Sequence, residues 1–270
     1  MILVDGSARD HVNALDRGLA YGDGVFRTMR AASGSVLLWS DHYAKLERDC
    51  RVLDMACPRE EDLLDDIGRI LRAEPDCVVK LIVTRGAGGR GYAPPAAANP
   101  SRVVASFPLP ATPPGCDEHG VRVRWCALRL ADQPALAGVK HLNRLENVLA
   151  RSEWSDPGIA EGLVCDAAGR VIEATMSNVF ILENRRLITP ALDRCGVDGV
   201  QRNRLIVRAR DVCDGCEIET ITPERLLAAD QVYLVNSVIG AWWVSALDAR
   251  KWQRAELTPK LLAALRMSDG

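Results

Sequence analysis

Residues 136–149 read Leu-Ala-Gly-Val-Lys-His-Leu-Asn-Arg-Leu-Glu-Asn-Val-Leu. The stretch sets one lysine, Lys140, after a run of small residues and just before a helical pattern. Leu142, Leu145, Val148 and Leu149 recur at helix spacing, which predicts a helix with that face turned into a core. Lys140 would then stand at or near the positive end of a helix, where an ammonium is disfavoured and the lysine pKa falls. Such a lysine can act as nucleophile, Schiff-base former or general base. The plain alternative is a solvated surface charge. Scarcity speaks against it: of 34 Lys+Arg, only Lys45, Lys80, Lys140, Lys251 and Lys260 are lysines, so an ordinary charged face in this chain is built from arginine.

Around that stretch, 270 residues are enough to bury a large core as one long domain or two smaller ones. With 48% hydrophobic and 26% charged residues the chain is an ordinary globular one. A formal net charge of -2 argues against nucleic acid or an anionic membrane as main partner. The segment MILVDGSARD has neither a basic n-region nor an apolar h-region, so no secretory leader is expected. No apolar run is long enough to span a bilayer. The nine cysteines are an odd number and scattered, as expected of reduced core thiols in a cytoplasmic protein. Cys213-Asp-Gly-Cys216 has no second pair and no nearby histidine, and the four histidines lie far apart, so no metal site is expected.

In chain order, Met1–Val4 reads as a strand turned by Asp5-Gly6. Asp16-Arg-Gly-Leu-Ala-Tyr-Gly-Asp-Gly-Val-Phe26 is a tight glycine-rich segment that runs into a strand with Arg30 near its end. Ser40 reads as the cap of a helix bearing Tyr43, Leu46, Cys50 and Leu53, and Glu60–Arg72 as a second helix. Val78–Thr84 is a β-branched strand. Its Lys80 is the rival reactive lysine, ranked lower because strand alternation can send it to solvent. Gly86-Ala-Gly-Gly-Arg-Gly91 satisfies G-x-G-x-x-G after a strand, but Tyr92-Ala-Pro-Pro95 cannot readily open a helix, so a dinucleotide site is rejected. Arg102–Phe107 is another strand. The proline-rich run 108–115 marks a boundary. Val121–Cys126 opens the second half. Two hairpins follow, 162–165 with 170–174 and 178–182 with 187–190. A glycine loop, Cys195–Gln201, then feeds a helix over 200–213, a strand covers 231–237, and a last helix runs from Thr258 to near Met267. Trp242-Trp243 reads as core or subunit packing. Glu173 taken alone reads as a solvated strand charge.

Several of these strings together resemble one family. D-R-G-x-x-Y-G-D-G-x-F at 16–26 and E-x-x-x-x-N-x-F at 173–180 resemble one broad enzyme family, and within it Ala-Gly-Val-Lys140-His-Leu-Asn-Arg-Leu and R-G-x-G-G-R-G-Y at 85–92 are similar to the aminodeoxychorismate lyases. These lie within the fold-type IV, or class IV aminotransferase, enzymes that use pyridoxal 5'-phosphate (PLP). The resemblance covers nearly the whole chain. It implies an α/β (α+β) protein of two domains with PLP between them, in a homodimer. The expected boundaries are a smaller N-terminal domain over 1–110, a linker over 111–119 and a larger C-terminal domain over 120–270 carrying the PLP lysine. It further implies that Lys140 holds the cofactor and acts as base, and that Glu173 meets the pyridine nitrogen. Lys45 would take the place of the family's phosphate-binding arginine, a departure that gives up the bidentate fork. Asn178, Val200, Gln201, Asn236 and Ser237 would complete the cofactor site, with Arg30, Arg90 and Tyr92 for substrate. The implied reaction splits 4-amino-4-deoxychorismate into 4-aminobenzoate and pyruvate for folate synthesis. The alternatives are a transaminase of branched-chain or D-amino acids using the same Lys140 and Glu173, and a non-catalytic binding protein that has kept the fold.

Overall fold

The protein is described here by a computed structural model covering residues 1–265. Among the described residues the architecture is mixed α/β in two compact units: residues 1–110 with Val139–Asn143, and residues 111–138 with 144–265. The first unit runs β1 (Ile2–Val4), β2 (Ser7–Ala8), α1 (Arg17–Tyr21), β3 (Gly24–Ala32), β4 (Ser35–Val36), α2 (Trp39–Val52), α3 (Glu60–Leu71), β5 (Cys77–Thr84) and β6 (Ser101–Phe107). Its strands form one sheet in the order β2-β1-β6-β5-β3-β4. Alternation in β3 turns Val25, Met29 and Ala31 inward, where they pack with Val79, Leu81, Val83 and Val104 against Leu46 and Cys50 of α2 and Leu63, Ile67 and Ile70 of α3. Phe26, Thr28 and Arg30 share the other, half-exposed face.

The second unit runs α4 (Cys116–His119), β7 (Val121–Leu130), α5 (Leu145–Arg151), β8 (Glu161–Asp166), β9 (Val171–Ala174), β10 (Asn178–Glu183), β11 (Arg186–Pro190), α6 (Val200–Val212), β12 (Cys216–Glu219), α7 (Pro223–Ala228), β13 (Gln231–Asn236), β14 (Gly240–Leu247), β15 (Arg250–Lys251) and α8 (Thr258–Leu265). Its sheet has the order β12-β11-β10-β13-β14-β7-β8-β9, with β15 on β14, and β9 returns to pair with β10. The pairing path from β10 round to β9 is therefore a closed ring, sealed where Asn178 sits opposite Glu173. Val121, Val123, Leu163, Val179, Leu234 and Val244 fill one side of that ring. Phe180, Tyr233, Val235 and Trp243 face the other way and are covered by Leu205 and Ala209 of α6 and by Leu261, Leu262 and Leu265 of α8. Trp242 and Trp243 are both buried, on opposite faces of β14, as strand alternation requires.

Several sequence expectations change. The helix after Lys140 starts only at Leu145, and Leu145, Val148 and Leu149 are 68%, 57% and 53% exposed, so the face expected in the core is not in it. Lys140 is thus five residues short of the helix and not at its positive end. The cause is main-chain pairing: Phe26 N–H donates to Lys140 O at 3.0 Å and Leu142 N–H to Gly24 O at 2.9 Å. These bonds hold the segment extended along β3 and group Val139–Asn143 with the first unit, not with residues 120–270. Ser40 lies inside α2, whose N-cap is Leu38 in the left-handed region (φ 59°) with no side-chain cap bond. The expected linker 111–119 contains α4. The far end of the last helix, near Met267, lies outside the described residues. All nine cysteines are free thiols, and no helix among the described residues is long and apolar enough to cross a membrane.

Candidate active site

In the first unit the site is built from β3, α2 and the Lys140 segment. Alternation puts Arg27 on the inner face of β3 beside Val25 and Met29, and a buried guanidinium needs an acid. Asp49, on α2 and 1% exposed, supplies it at 2.5 Å. The ammonium of Lys45, one turn back on α2, binds the other oxygen of Asp49. Burial alone would raise the Asp49 pKa, but Arg27 and Lys45 outweigh it and hold the carboxyl below its usual range. Lys45 is pushed down to about 8, by burial first, with Arg27 adding to it and Asp49 opposing. The backbone N–H of Lys140 also donates to Asp49, at 3.0 Å. The Lys140 ammonium lies 4.6 Å from the centroid of Phe26, a cation–π contact. Lys80 is not lost to solvent: it is half-buried, and its ammonium lies 5.6 Å from the same ring. His42 is buried and pushed down to about 3 by burial, then by Arg27 and Lys140, so it is neutral at working pH. Neither of its ring nitrogens, nor Arg27 Nε, nor Arg30 Nε, has a hydrogen-bond partner among the described residues.

The glycine-rich string 16–24 carries the loop after β5. Asp16 caps α1 and accepts from Thr84 Oγ1 at 2.8 Å. Asp23 bridges Arg17 and Arg85, each at 2.8 Å. The Arg17 guanidinium donates to the carbonyls of Gly91 at 3.0 Å, Tyr92 at 2.9 Å and Ala93 at 3.4 Å. Tyr21 accepts the Gly91 N–H and its ring lies 5.4 Å from that of Tyr92. Arg90 and Tyr92 are exposed on this loop, and Arg30 is half-buried on β3.

In the second unit Glu173 is buried, not a solvated strand charge, and accepts the Val197 N–H at 2.7 Å. Asn178, its partner across the ring closure, donates to Val197 O at 2.7 Å. The approach of this loop depends on Gly196 (φ +84°), where a Cβ would lie 2.7 Å from Ile172 Cγ2. Gly199 is the N-cap of α6 and offers no side-chain cap, the arrangement that suits an anion at a helix N-terminus; Val200 and Gln201 lie in its first turn. Gln201 Nε2 donates to Leu265 O at 3.2 Å. Asn236, at the end of β13, donates to Ser177 Oγ at 3.1 Å, and Ser237 is half-buried next to it. The turn joining β9 to β10 hangs on Glu161, a carboxyl with no exposed surface. It accepts from Thr175 Oγ1, from Ser177 Oγ at 2.8 Å and from Met176 N–H at 3.3 Å.

The sequence motifs do not single out Arg17, Arg27, Asp49 or Glu161 as site residues. The alternation that makes Arg27 inward was the available signal for that residue, together with the Lys45-to-Asp49 helical spacing.

The family profile described as class IV amino-transferase matches residues 24–247. The chain is 33% identical over 249 residues to the aminodeoxychorismate lyase of Vibrio harveyi, covering 92% of each chain. It is 24% identical to the D-alanine aminotransferase of Bacillus licheniformis, over 88% of this chain and 84% of that one. Among solved structures, the 4-amino-4-deoxychorismate lyase of Pseudomonas aeruginosa superposes with a TM-score of 0.93 at 46% identity, over 98% of both chains.

Proposed function

Since the chain belongs to the class IV amino-transferase family, we propose that it is a PLP-dependent 4-amino-4-deoxychorismate lyase, yielding 4-aminobenzoate and pyruvate for folate synthesis. The observation that carries this reading is the likeness, along nearly the full length, to the lyase of P. aeruginosa at 46% identity. The transaminase alternative rests on weaker likenesses, such as the 24% identity to a D-alanine aminotransferase.

The residues present fit the cofactor. Arg27 and Lys45 bring two cations together beside Asp49, and the buried Arg27 Nε and both His42 nitrogens lack partners among the described residues. That donor set suits a phosphate. Lys140 would hold PLP through its ε-amine, with Lys45, Asn178, Val200, Gln201, Asn236 and Ser237 around it. Glu173 would keep a proton on the pyridine nitrogen. When bound, PLP supplies an electron sink for the carbon that carries the substrate amine.

Lys140 Nζ takes the proton from that ring carbon. The ether C–O bond then breaks, the ring becomes aromatic, and the departing enolpyruvate gains a proton at its methylene carbon to become pyruvate. The ring of Phe26 lies against the Lys140 ammonium. Arg30, Arg90 and Tyr92 bind the substrate's carboxylates. The enzyme works as a homodimer in the cytoplasm, which sedimentation and fractionation would check.

Incubating the purified protein with 4-amino-4-deoxychorismate should release both products in equal amounts. A Lys140→Ala variant should lose turnover; full activity in that variant would contradict the assignment. Formation of a keto acid from an amino acid, with no 4-aminobenzoate from the aminodeoxychorismate, would favour the transaminase.

A further inference from the structure

Asp49 collects donors from three separate places: the Lys45 ammonium on its own helix, the Arg27 guanidinium on β3 and the Lys140 backbone N–H. Arg27 in turn donates to Phe26 O at 2.8 Å and to Lys45 O at 2.8 Å, while Phe26 N–H donates to Lys140 O at 3.0 Å. The bonds close a circuit: Lys140 N–H to Asp49, Arg27 to Asp49, Arg27 to Phe26 O, Phe26 N–H to Lys140 O. Both polar groups of Lys140's main chain are thereby tied to the same buried ion cluster.

We propose that Asp49 is a positioning residue that locks the main chain of Lys140 to the charges of Lys45 and Arg27, so that anion binding at Lys45 and placement of the Lys140 amine are coupled. This rests on the reading of Lys140 as the PLP lysine. A buried carboxylate can serve three donors at once, having about four acceptor sites. Removing it takes a shared buried carboxylate from two neighbouring cations and a backbone N–H at once, which couples the three energetically. Asparagine keeps an acceptor for the N–H but not the charge, and so separates the two roles.

The experiment uses holoenzyme. Borohydride reduction and peptide mapping of the wild type come first; a label away from Lys140 defeats the underlying reading before Asp49 is tested. PLP titration, pH titration of the PLP–lysine absorbance and melting of the apoprotein are then compared for wild type, Asp49→Asn and Asp49→Ala. Asp49→Ala should weaken PLP at least tenfold and move the absorbance midpoint down by half a pH unit or more. Asp49→Asn should lose less affinity but show the same downward midpoint. Lys45→Met should cost several-fold less PLP affinity in the Asp49→Ala background than in the wild type. A folded Asp49→Ala protein with wild-type affinity and midpoint overturns the proposal. If alanine prevents folding, a wild-type affinity and midpoint in Asp49→Asn overturns it equally.

Discussion

Glu161 and His42 pull stability in opposite directions with pH. Burial pushes the Glu161 carboxyl up to about 7, against the donors from Thr175, Ser177 and Met176. The folded chain then keeps a proton that the unfolded chain has released, so stability is full below about pH 4.5 and falls as pH rises towards 7. The loss is about 3 kcal/mol. His42, held at about 3, is neutral in the fold while the unfolded residue gains a proton below about pH 6.5, so its contribution is lost as pH falls. Urea unfolding at about pH 5 and pH 7 should show Glu161→Gln gaining more stability between the two pH values than the wild type does, because the His42 contribution is then no longer offset. An unchanged trend in that variant would mean Glu161 ionises normally in the fold. Lys140 and Glu173 could be singled out in the sequence because each sits in a recognisable string. Arg27 and Asp49 offer only strand alternation and the helical spacing to Lys45 as signals, and Glu161 offers none, since its role depends on the turn it meets.

Helix starts test how far local signals reach. Thr222 accepts the Arg225 N–H at 3.2 Å and caps α7, so Thr222→Ala should cost about 1 kcal/mol in urea unfolding. Ser40, which reads as a cap, makes no cap bond, and Ser40→Ala should change stability by less than about 0.5 kcal/mol. Equal losses in the two variants would contradict the capping geometry. The strands were legible because β-branched runs and alternation are local properties of 78–84, 121–126, 178–182 and 231–236. The beginnings of α2 and α5 were not. One is set by the left-handed backbone at Leu38, the other by bonds from 140–142 to a strand more than a hundred residues away.

For the whole molecule, the expectation of two α/β domains rests on the proline-rich run 108–115 and on family likeness. No local pattern announces that β9 closes on β10, because that ring depends on pairings across the full second unit. At that closure Gly196→Ala adds both backbone strain and a clash with Ile172, and should lower stability by about 1–3 kcal/mol in thermal or urea unfolding. PLP at 100 times its dissociation constant should stabilise the fold by about 2.7 kcal/mol, seen as a raised melting temperature. Lys140→Ala should shrink that rise, and an undiminished one would count against the lysine. Arg17 points to a different property of the molecule. It grips residues 91–93 by their carbonyl oxygens, and such a grip is blind to what hangs from the chain. The side chains of Tyr92 and Ala93 can be exchanged without loss of those bonds, so a designer can saturate those two codons while the scaffold beneath stays put.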